Sequence, residues 1–268
     1  MSRVIDCILF HSELEVLKIR LEYLYEVVDK FIILESSQSF SGKKKPFNFE
    51  KNKELFKKFQ DKIIYNQLNE HHSSIDDIYK RLNKEQNVIF HNVRDILTSH
   101  CHYSKKRMDW VLDSYQREYL HIAMDSFCKK DDMIIFSDLD EIPSLEFIDY
   151  CKNTKFDNFK TAKQKEFNIY LNCYKNFNWI GTIIGYYSSF KNQSLNLLRK
   201  ESKESDNEFV EHLSIDGGYH FSWIGNKDQI LNKLNSTAHQ EFNFNFVKKK
   251  INSDLMAVKY LFAKKNQN

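Results

Sequence analysis

Apolar positions in the first third of the chain alternate between two spacings. Val4-Ile5-Asp6-Cys7-Ile8-Leu9-Phe10 is a short run with β-branched and aromatic bias, interrupted only by Asp6, and it predicts a buried strand. Ser12 follows in an N-cap position, with Glu13 and Glu15 in the first turn, where the helix dipole favours carboxylates. Leu14, Leu17, Leu21 and Leu24 then recur at helical spacing, and Val28 falls four residues further on, giving one face of an amphipathic helix. Phe31-Ile32-Ile33-Leu34 is a second strand that ends at Glu35-Ser36-Ser37. Strand, helix, strand in this order predicts a βαβ unit with a parallel pair.

Gly42 and Pro46 bracket Lys43-Lys44-Lys45 in a loop, a helix is expected over Glu50 to Phe59, and a third strand over Lys62 to Tyr65. Residues 66–104 are polar, rich in His and Asn, and poorly periodic. A long helical pattern runs from Lys105 to Cys128, with Trp110, Tyr115, Leu120 and Met124 among its apolar members. Asp131-Asp132 precedes the strand Met133-Ile134-Ile135-Phe136, which leads into Ser137-Asp138-Leu139-Asp140-Glu141-Ile142-Pro143. Beyond it, Gly181, Gly185, Gly217, Gly218 and Gly225 fall among Tyr, Trp and Phe, which predicts antiparallel strands and turns. Lys227 to Leu234 and Lys250 to Lys264 read as lysine-rich helices. The expected architecture is α/β: one domain over residues 1–268, with a mostly parallel central sheet covered by helices on both faces. A smaller mixed or antiparallel sheet and C-terminal helices complete it.

Composition narrows the function classes. At 41% hydrophobic and 15% aromatic residues, the chain is no disordered or low-complexity protein. A balance of 40 Lys+Arg against 37 Asp+Glu is too even for a dedicated nucleic-acid binder. Cys7, Cys101, Cys128, Cys151 and Cys173 are odd in number and lack CxxC spacing, so neither a disulfide framework nor a zinc ribbon is expected. The N-terminal apolar run is too short for a signal segment, and no stretch approaches the roughly 18 apolar residues of a membrane span. These features set the expectation of a cytoplasmic protein, with peripheral membrane contact through its lysines left open.

The sharpest chemical signal is the acidic turn after the fourth strand. Asp138 and Asp140 stand one residue apart at the carboxyl end of an apolar run, where open α/β sheets bind ligands. Such a pair can face one divalent cation whose remaining positions go to phosphate and water. Glu141 extends the cluster, and three neighbouring acids need a cation or hydrogen bonds in compensation. An Asp-x-Asp also arises by chance and often only caps a helix. Gly217-Gly218-Tyr219-His220-Phe221-Ser222-Trp223 is the second signal: His220 reads either as a ligand or as a satisfied core histidine. Asp113 and Arg117 form an i,i+4 pair, readable as a diphosphate clamp or as a surface salt bridge. Glu35 and Ser36, ending the second strand, suit a ribose, although solvation explains a loop carboxylate equally well.

Taken together these residues resemble glycosyltransferase family 17. The resemblance begins with His11-Ser12-Glu13-Leu14-Glu15, Arg20 and Val27-Val28-Asp29, and continues through Phe31, Glu35-Ser36, Phe40, Gly42 and Lys45-Pro46. Trp110, Asp113 and Arg117 follow, then Asp131-Asp132 and the block Asp138 to Pro143, and Gly218 to Trp223 closes it, with Tyr219 where the family usually has Trp. The resemblance implies a GT-A-like, inverting enzyme that uses UDP-N-acetylglucosamine with Mn²⁺ or Mg²⁺. Residues 1–143 would form the nucleotide-sugar half and 144–268 the acceptor half, the acceptor being a glycan or lipid-linked oligosaccharide hydroxyl. Donor contacts would come from Phe10, Glu35, Ser36, Asp113, Arg117, Asp138 and His220. Asp140, Asp138 and His220 would hold the metal, and Glu141 or, second, Asp216 would take the acceptor proton. A metal-dependent phosphohydrolase or nuclease using the same acids, and a non-catalytic glycan-binding module, are the competing readings.

Overall fold

A computed structural model of the chain describes residues 2–99, 106–170, 173–204 and 208–253. The first element is strand β1 (Val4–Phe10), followed by helix α1 (Leu14–Leu24) and strand β2 (Lys30–Ser36). The short helix α2 (Asn48–Lys51) and a 3-10 turn over Lys53–Phe59 lead to β3 (Ile63–Leu68), then to helices α3 (Ile75–Asn83), α4 (Val88–Ser99), α5 (Met108–Glu118) and α6 (Leu120–Asp125). Strands β4 (Met133–Asp138) and β5 (Glu141–Pro143) flank the acidic turn. Helix α7 (Leu145–Asn153) and strands β6 (Phe159–Ala162), β7 (Gln164–Asn168), β8 (Tyr174–Trp179) and β9 (Ile183–Tyr186) come next. The described chain closes with α8 (Tyr187–Phe190), α9 (Leu195–Glu201), β10 (Val210–Leu213), β11 (Gly218–Ser222), α10 (Lys227–Ser236) and α11 (Asn245–Ser253).

Seven strands form the main sheet in the order β10-β6-β9-β4-β1-β2-β3. The pairs β4–β1, β1–β2, β2–β3 and β10–β6 are parallel, and only β9 runs against its neighbours. Alternate side chains of each central strand feed two cores, as expected where both faces are covered. Ile5, Cys7, Ile32, Leu34, Ile134 and Phe136 pack under α3 to α6, α8 and α9, whereas Val4, Ile8, Phe31, Ile33, Met133 and Ile135 pack under α1, α2 and α7. A second sheet, β5-β11-β7-β8, mixes parallel and antiparallel pairs. The mixed α/β architecture read from the sequence is the one observed.

Four local expectations change. Ser12 does not cap α1: the helix starts at Leu14 with Glu13 in the cap position and no side-chain cap. Glu13 instead accepts the Ser12 amide at 3.0 Å. The helix expected over Glu50–Phe59 divides into α2 and the 3-10 turn, and the one expected over Lys105–Cys128 divides at Tyr119 into α5 and α6. The poorly periodic stretch carries regular structure over residues 66–99, and residues 100–104 lie outside the described residues. The stretch holds α3, capped by Ser74, and α4, whose Ile89, Val93 and Leu97 recur every four residues into the core. Of the C-terminal helix expected over Lys250–Lys264, the part after Ser253, like Cys101, lies outside the described residues.

Helices α10 and α11 bury Ile230, Leu234, Val247 and Ile251 with Ile169 in a small third cluster of their own. Two non-glycine residues with left-handed backbone, Ile169 (φ 70°) and Trp223 (φ 58°), stand where β7 and β11 end. Such a conformation costs an L-residue on the order of 1–3 kcal/mol, the more so a β-branched one.

Candidate functional site

The acidic turn is built from beneath. Asp6, the one charge in β1, is fully buried and accepts the Nε and Nη2 of Arg20 on α1 at 2.8 and 2.7 Å. The remaining donors of Arg20 reach the Ser137 hydroxyl and the carbonyls of Asp138, Leu139 and Glu141 at 2.8 to 3.2 Å. A charge placed in an apolar strand demands a partner, and this partner also fixes the path of residues 137–141.

Above the turn, Glu141 is 1% exposed and each of its oxygens accepts two bonds. Oε1 takes the Trp179 indole N–H at 2.8 Å and Arg199 Nη2 at 2.9 Å. Oε2 takes the Asp138 amide at 2.8 Å and Arg199 Nη1 at 2.6 Å. Its four lone-pair positions are therefore filled. Burial pushes its pKa up, but Arg199 outweighs that and holds the carboxyl well below the ordinary carboxylate range. Glu141, expected to take the acceptor proton, holds Arg199 through both of its oxygens in this arrangement. Gly181 makes this approach feasible: a Cβ there would lie 2.3 Å from Glu141 Cδ.

Asp138 is the exposed member of the group. Its side chain is 36% accessible, and its two oxygens meet Arg117 Nη1 at 3.2 Å and Arg199 Nη2 at 2.8 Å. Arg117 also binds Asp113 at 3.1 Å, which joins the i,i+4 pair to the turn. Burial opposes the charge on both guanidiniums, but the acids around them raise their pKa values. Glu118 holds α9, which carries Arg199, by accepting from the Ser194 hydroxyl and the amides of Leu195 and Asn196. Arg199 has no local signal in the sequence, since its partners lie 58 and 61 residues away.

Asp140 faces the C-terminal helices. Lys233 of α10 contacts Asp140 Oδ2 at 3.0 Å and Glu13 Oε1 at 3.3 Å. Burial works against the ionised form of Glu13, yet Lys233 brings it down to about 2; in turn Asp140 and Glu13 raise Lys233 despite its burial. His11, next to Glu13, has a buried Nε2 without a hydrogen-bond partner, and burial pulls its pKa down to about 4. His220 lies opposite Glu141 in the β5–β11 pair and stacks on Trp179, with ring centroids 4.2 Å apart. The exposed Lys203 lies over the same indole, 4.5 Å from its centroid.

The expected metal set is not gathered into a centre. Among the described residues no three His, Cys, Asp or Glu side chains are grouped so that they could hold a metal ion. His220 Nδ1 is buried without a hydrogen-bond partner; burial lowers its pKa against the opposing charges of Asp140, Glu141 and Glu166, with Glu166 Oε1 3.9 Å from Nδ1. The oxygens of Asp138 serve two guanidiniums and Asp140 serves an ammonium, so protein cations stand where the reading of Asp138, Asp140 and His220 placed Mn²⁺ or Mg²⁺. A three-ligand protein metal site does not fit these residues.

Other expected residues lie apart from the turn. Phe10 is 1% exposed inside the α1-side core. Glu35 is fully buried and accepts from Lys45 Nζ, the Asn48 and Phe49 amides and the Tyr65 hydroxyl, which anchors the start of α2 rather than a ribose. Ser36 is 2% exposed, and its hydroxyl accepts the Gln38 amide. Asp216 precedes β11 and pairs with Lys165, and its Oδ1 accepts the Gly218 amide. Because Gly218 pairs with Pro143 while the Phe221 amide bonds the Asp140 carbonyl, Asp216 sits at the end of β11 away from Asp140.

Among protein families, residues 1–97 match the model of glycosyltransferase family 17. The match, over 97 of the 268 residues, supports assignment to that family, and a glycosyltransferase family implies a sugar donor and an acceptor in general. The matched segment covers β1 to β3 and ends in α4, ahead of Arg117 and the acidic turn. No curated protein matches the chain.

Proposed function

We propose that this chain is a glycosyltransferase that binds a UDP-sugar across the carboxyl ends of β1 and β4 and transfers the sugar to a hydroxyl of a glycan or lipid-linked oligosaccharide. N-acetylglucosamine is the sugar the family favours. The observation that carries the reading is the gathering of Arg117, Arg199, Lys203 and Lys233 around Asp138, Asp140 and Glu141 at that edge. A departing nucleoside diphosphate gathers negative charge on its phosphoryl oxygens. Cations already fixed in a partly dry cleft stabilise that charge with little rearrangement. The planar forks of Arg117 and Arg199 match phosphate oxygens better than an ammonium does.

Exposure assigns the roles. Asp138 is the carboxylate an incoming diphosphate displaces from the two guanidiniums, while the buried Glu141 keeps hold of Arg199 from behind. Trp179, fixed by its bond to Glu141 and its stack on His220, walls the cleft. In this reading the scaffold is of the GT-A type, with residues 1–143 serving the nucleoside and 144–268 the acceptor as well as supplying Arg199, Lys203 and Lys233 to the diphosphate, and the sugar is transferred with inversion. A divalent cation drawn to the turn would compete with Lys233 for Asp140. The hydrolase reading would use the same acids, and hydrolysis at Asp138 and Asp140 without UDP-sugar binding would favour it.

The test is thermal unfolding of wild type and Arg199→Lys with a panel of nucleotide sugars, with and without Mn²⁺. Arg199→Lys keeps the charge and loses the fork. One UDP-sugar should stabilise wild type by roughly 2.7 kcal/mol at a hundredfold excess over Kd, and the substitution should weaken binding about tenfold, near 1.4 kcal/mol. If no nucleotide sugar shifts the wild-type transition, the transferase reading of this cleft is wrong.

A further inference from the structure

The C-terminal helix pair carries a surface that the transfer reaction does not use. Phe244 and Phe246 are each 61% exposed, among the most exposed large apolar side chains described. Phe244 precedes α11 and Phe246 lies in its first turn, with Val247 between Phe246 and Lys248-Lys249-Lys250. Val247 and Ile251, four residues apart, turn inward to the small cluster shared with α10, so among the described residues α11 is anchored by one face and exposed on the other. On the exposed face Lys250 lies over the Phe246 ring, 5.0 Å from its centroid, which places a cation beside an exposed aromatic.

Charge is distributed unevenly to match. Residues 227–268 contain eight lysines against Asp228, Glu241 and Asp254, in a chain whose overall formal charge is only +3. The rest of the molecule is therefore slightly acidic. The sequence after the described residues continues with Lys259, Lys264 and Lys265.

We infer that this edge of α11 docks on an anionic lipid bilayer, with Phe244 and Phe246 entering the interface and Lys248, Lys249 and Lys250 meeting the headgroups. Two rings and three lysines are far short of the roughly 800 Å² per partner that a stable protein interface needs. A bilayer surface requires less: a few inserted aromatic side chains and a cluster of positive charge. No helix among the described residues is long and apolar enough to cross a membrane. Lipid-surface docking is independent of the donor site and does not rest on the transferase reading.

The experiment is sedimentation of the full chain with vesicles of phosphatidylcholine alone and of phosphatidylcholine mixed with phosphatidylglycerol. Wild type should favour the anionic vesicles at least tenfold and release as salt is raised. Lys248→Ala/Lys249→Ala/Lys250→Ala should lower that partitioning about 100-fold, at the strength typical of lysines near an anionic surface. Phe244→Ser/Phe246→Ser should lower it about tenfold while keeping the salt dependence. Both sets should melt as wild type does and keep any nucleotide-sugar stabilisation, which separates failure of this surface from failure of the donor cleft. The inference is overturned if wild type does not sediment with anionic vesicles, or if the substituted chains bind as wild type does. It is also overturned if wild type is a dimer that Phe244→Ser/Phe246→Ser converts to monomer, because the face is then a protein interface.

Discussion

Two carboxylate–guanidinium groups lie on opposite sides of the same turn. Beneath it, Asp6 and Arg20 are fully buried, bidentate and saturated, and every donor of Arg20 is spent on Asp6, Ser137 or a turn carbonyl. Above it, Asp138 is 36% accessible and shares Arg117 and Arg199 with Asp113 and Glu141. The chemistry is the same and the solvent is not. A pair removed from water on all sides cannot exchange partners without leaving a bare charge in the core, so it can only build. A pair with one wet face can surrender its carboxylate to a ligand of the same charge. Depth, more than residue type, separates the structural group from the functional one.

The comparison breaks most visibly at Arg20. Arg20→Met leaves Asp6 charged and unpaired in β1 and should cost roughly 3–5 kcal/mol, a fall of about 10 °C in Tm for a chain of this size. Circular dichroism melts check it, and Asp6→Leu/Arg20→Met together should recover part of the loss. A single substitution melting within two or so degrees of wild type would mean that the lower group does not hold the turn.

Lys233 sharpens the upper half. Lys233→Met removes the ammonium from Asp140 and Glu13 and should weaken UDP-sugar binding about tenfold, or about 1.4 kcal/mol, while also lowering Tm because Glu13 loses the cation that depresses it. It should also enlarge any Mn²⁺-induced stabilisation, since Asp140 is then left uncompensated. Calorimetric titration reads both, and equal Mn²⁺ responses in the two proteins would show that Lys233 and the ion do not compete.

Acid supplies the smallest effect. His11 titrates near 4 when folded and near the ordinary histidine value when unfolded, so between these limits the unfolded chain binds more protons. Stability should therefore rise with pH from about 4 to about 6.5 and then level off; the histidine share is on the order of 1 kcal/mol after allowance for solvent. Glu13, depressed to about 2, works in the same direction at lower pH: its contribution is complete above the ordinary carboxylate pKa and is lost as pH falls through 2. His11→Phe should flatten the upper window of a Tm-against-pH curve while leaving the acid limb in place.

Much of the fold was legible because its signals are local. The leucine spacing of α1 and the apolar runs of β1, β2 and β4 each report their own burial, and their order reports the parallel sheet. Helices α3 and α4 were missed although Ile78 and Leu82, and Ile89, Val93 and Leu97, have helical spacing. The polar residues between them dilute the period, and a narrow apolar stripe suffices for a helix that covers a sheet only in part. Asp138 and Asp140 announced the acidic turn, but nothing local could reveal that Arg199 and Lys233 come to meet them from short helices far along the chain. Asp6 was the readable omission. A carboxylate within an apolar strand calls for a cation, and Arg20 lies fourteen residues on, the distance given by one turn and most of one helix.

Ile169 and Trp223 have a consequence for how the molecule can open. Both hold left-handed backbone at the ends of neighbouring strands, with the Ile169 amide bonded to the Ser222 carbonyl and the Gly225 amide to the Ile169 carbonyl. The α10–α11 pair beyond this joint has its own small core, which shares no residue with the two that cover the main sheet. Cooperative units separate along such seams, where few apolar contacts are broken and strained backbone is released. Partial unfolding thus has a preferred boundary, across which Lys233 leaves Asp140 while Arg20, Arg117 and Arg199 stay in place.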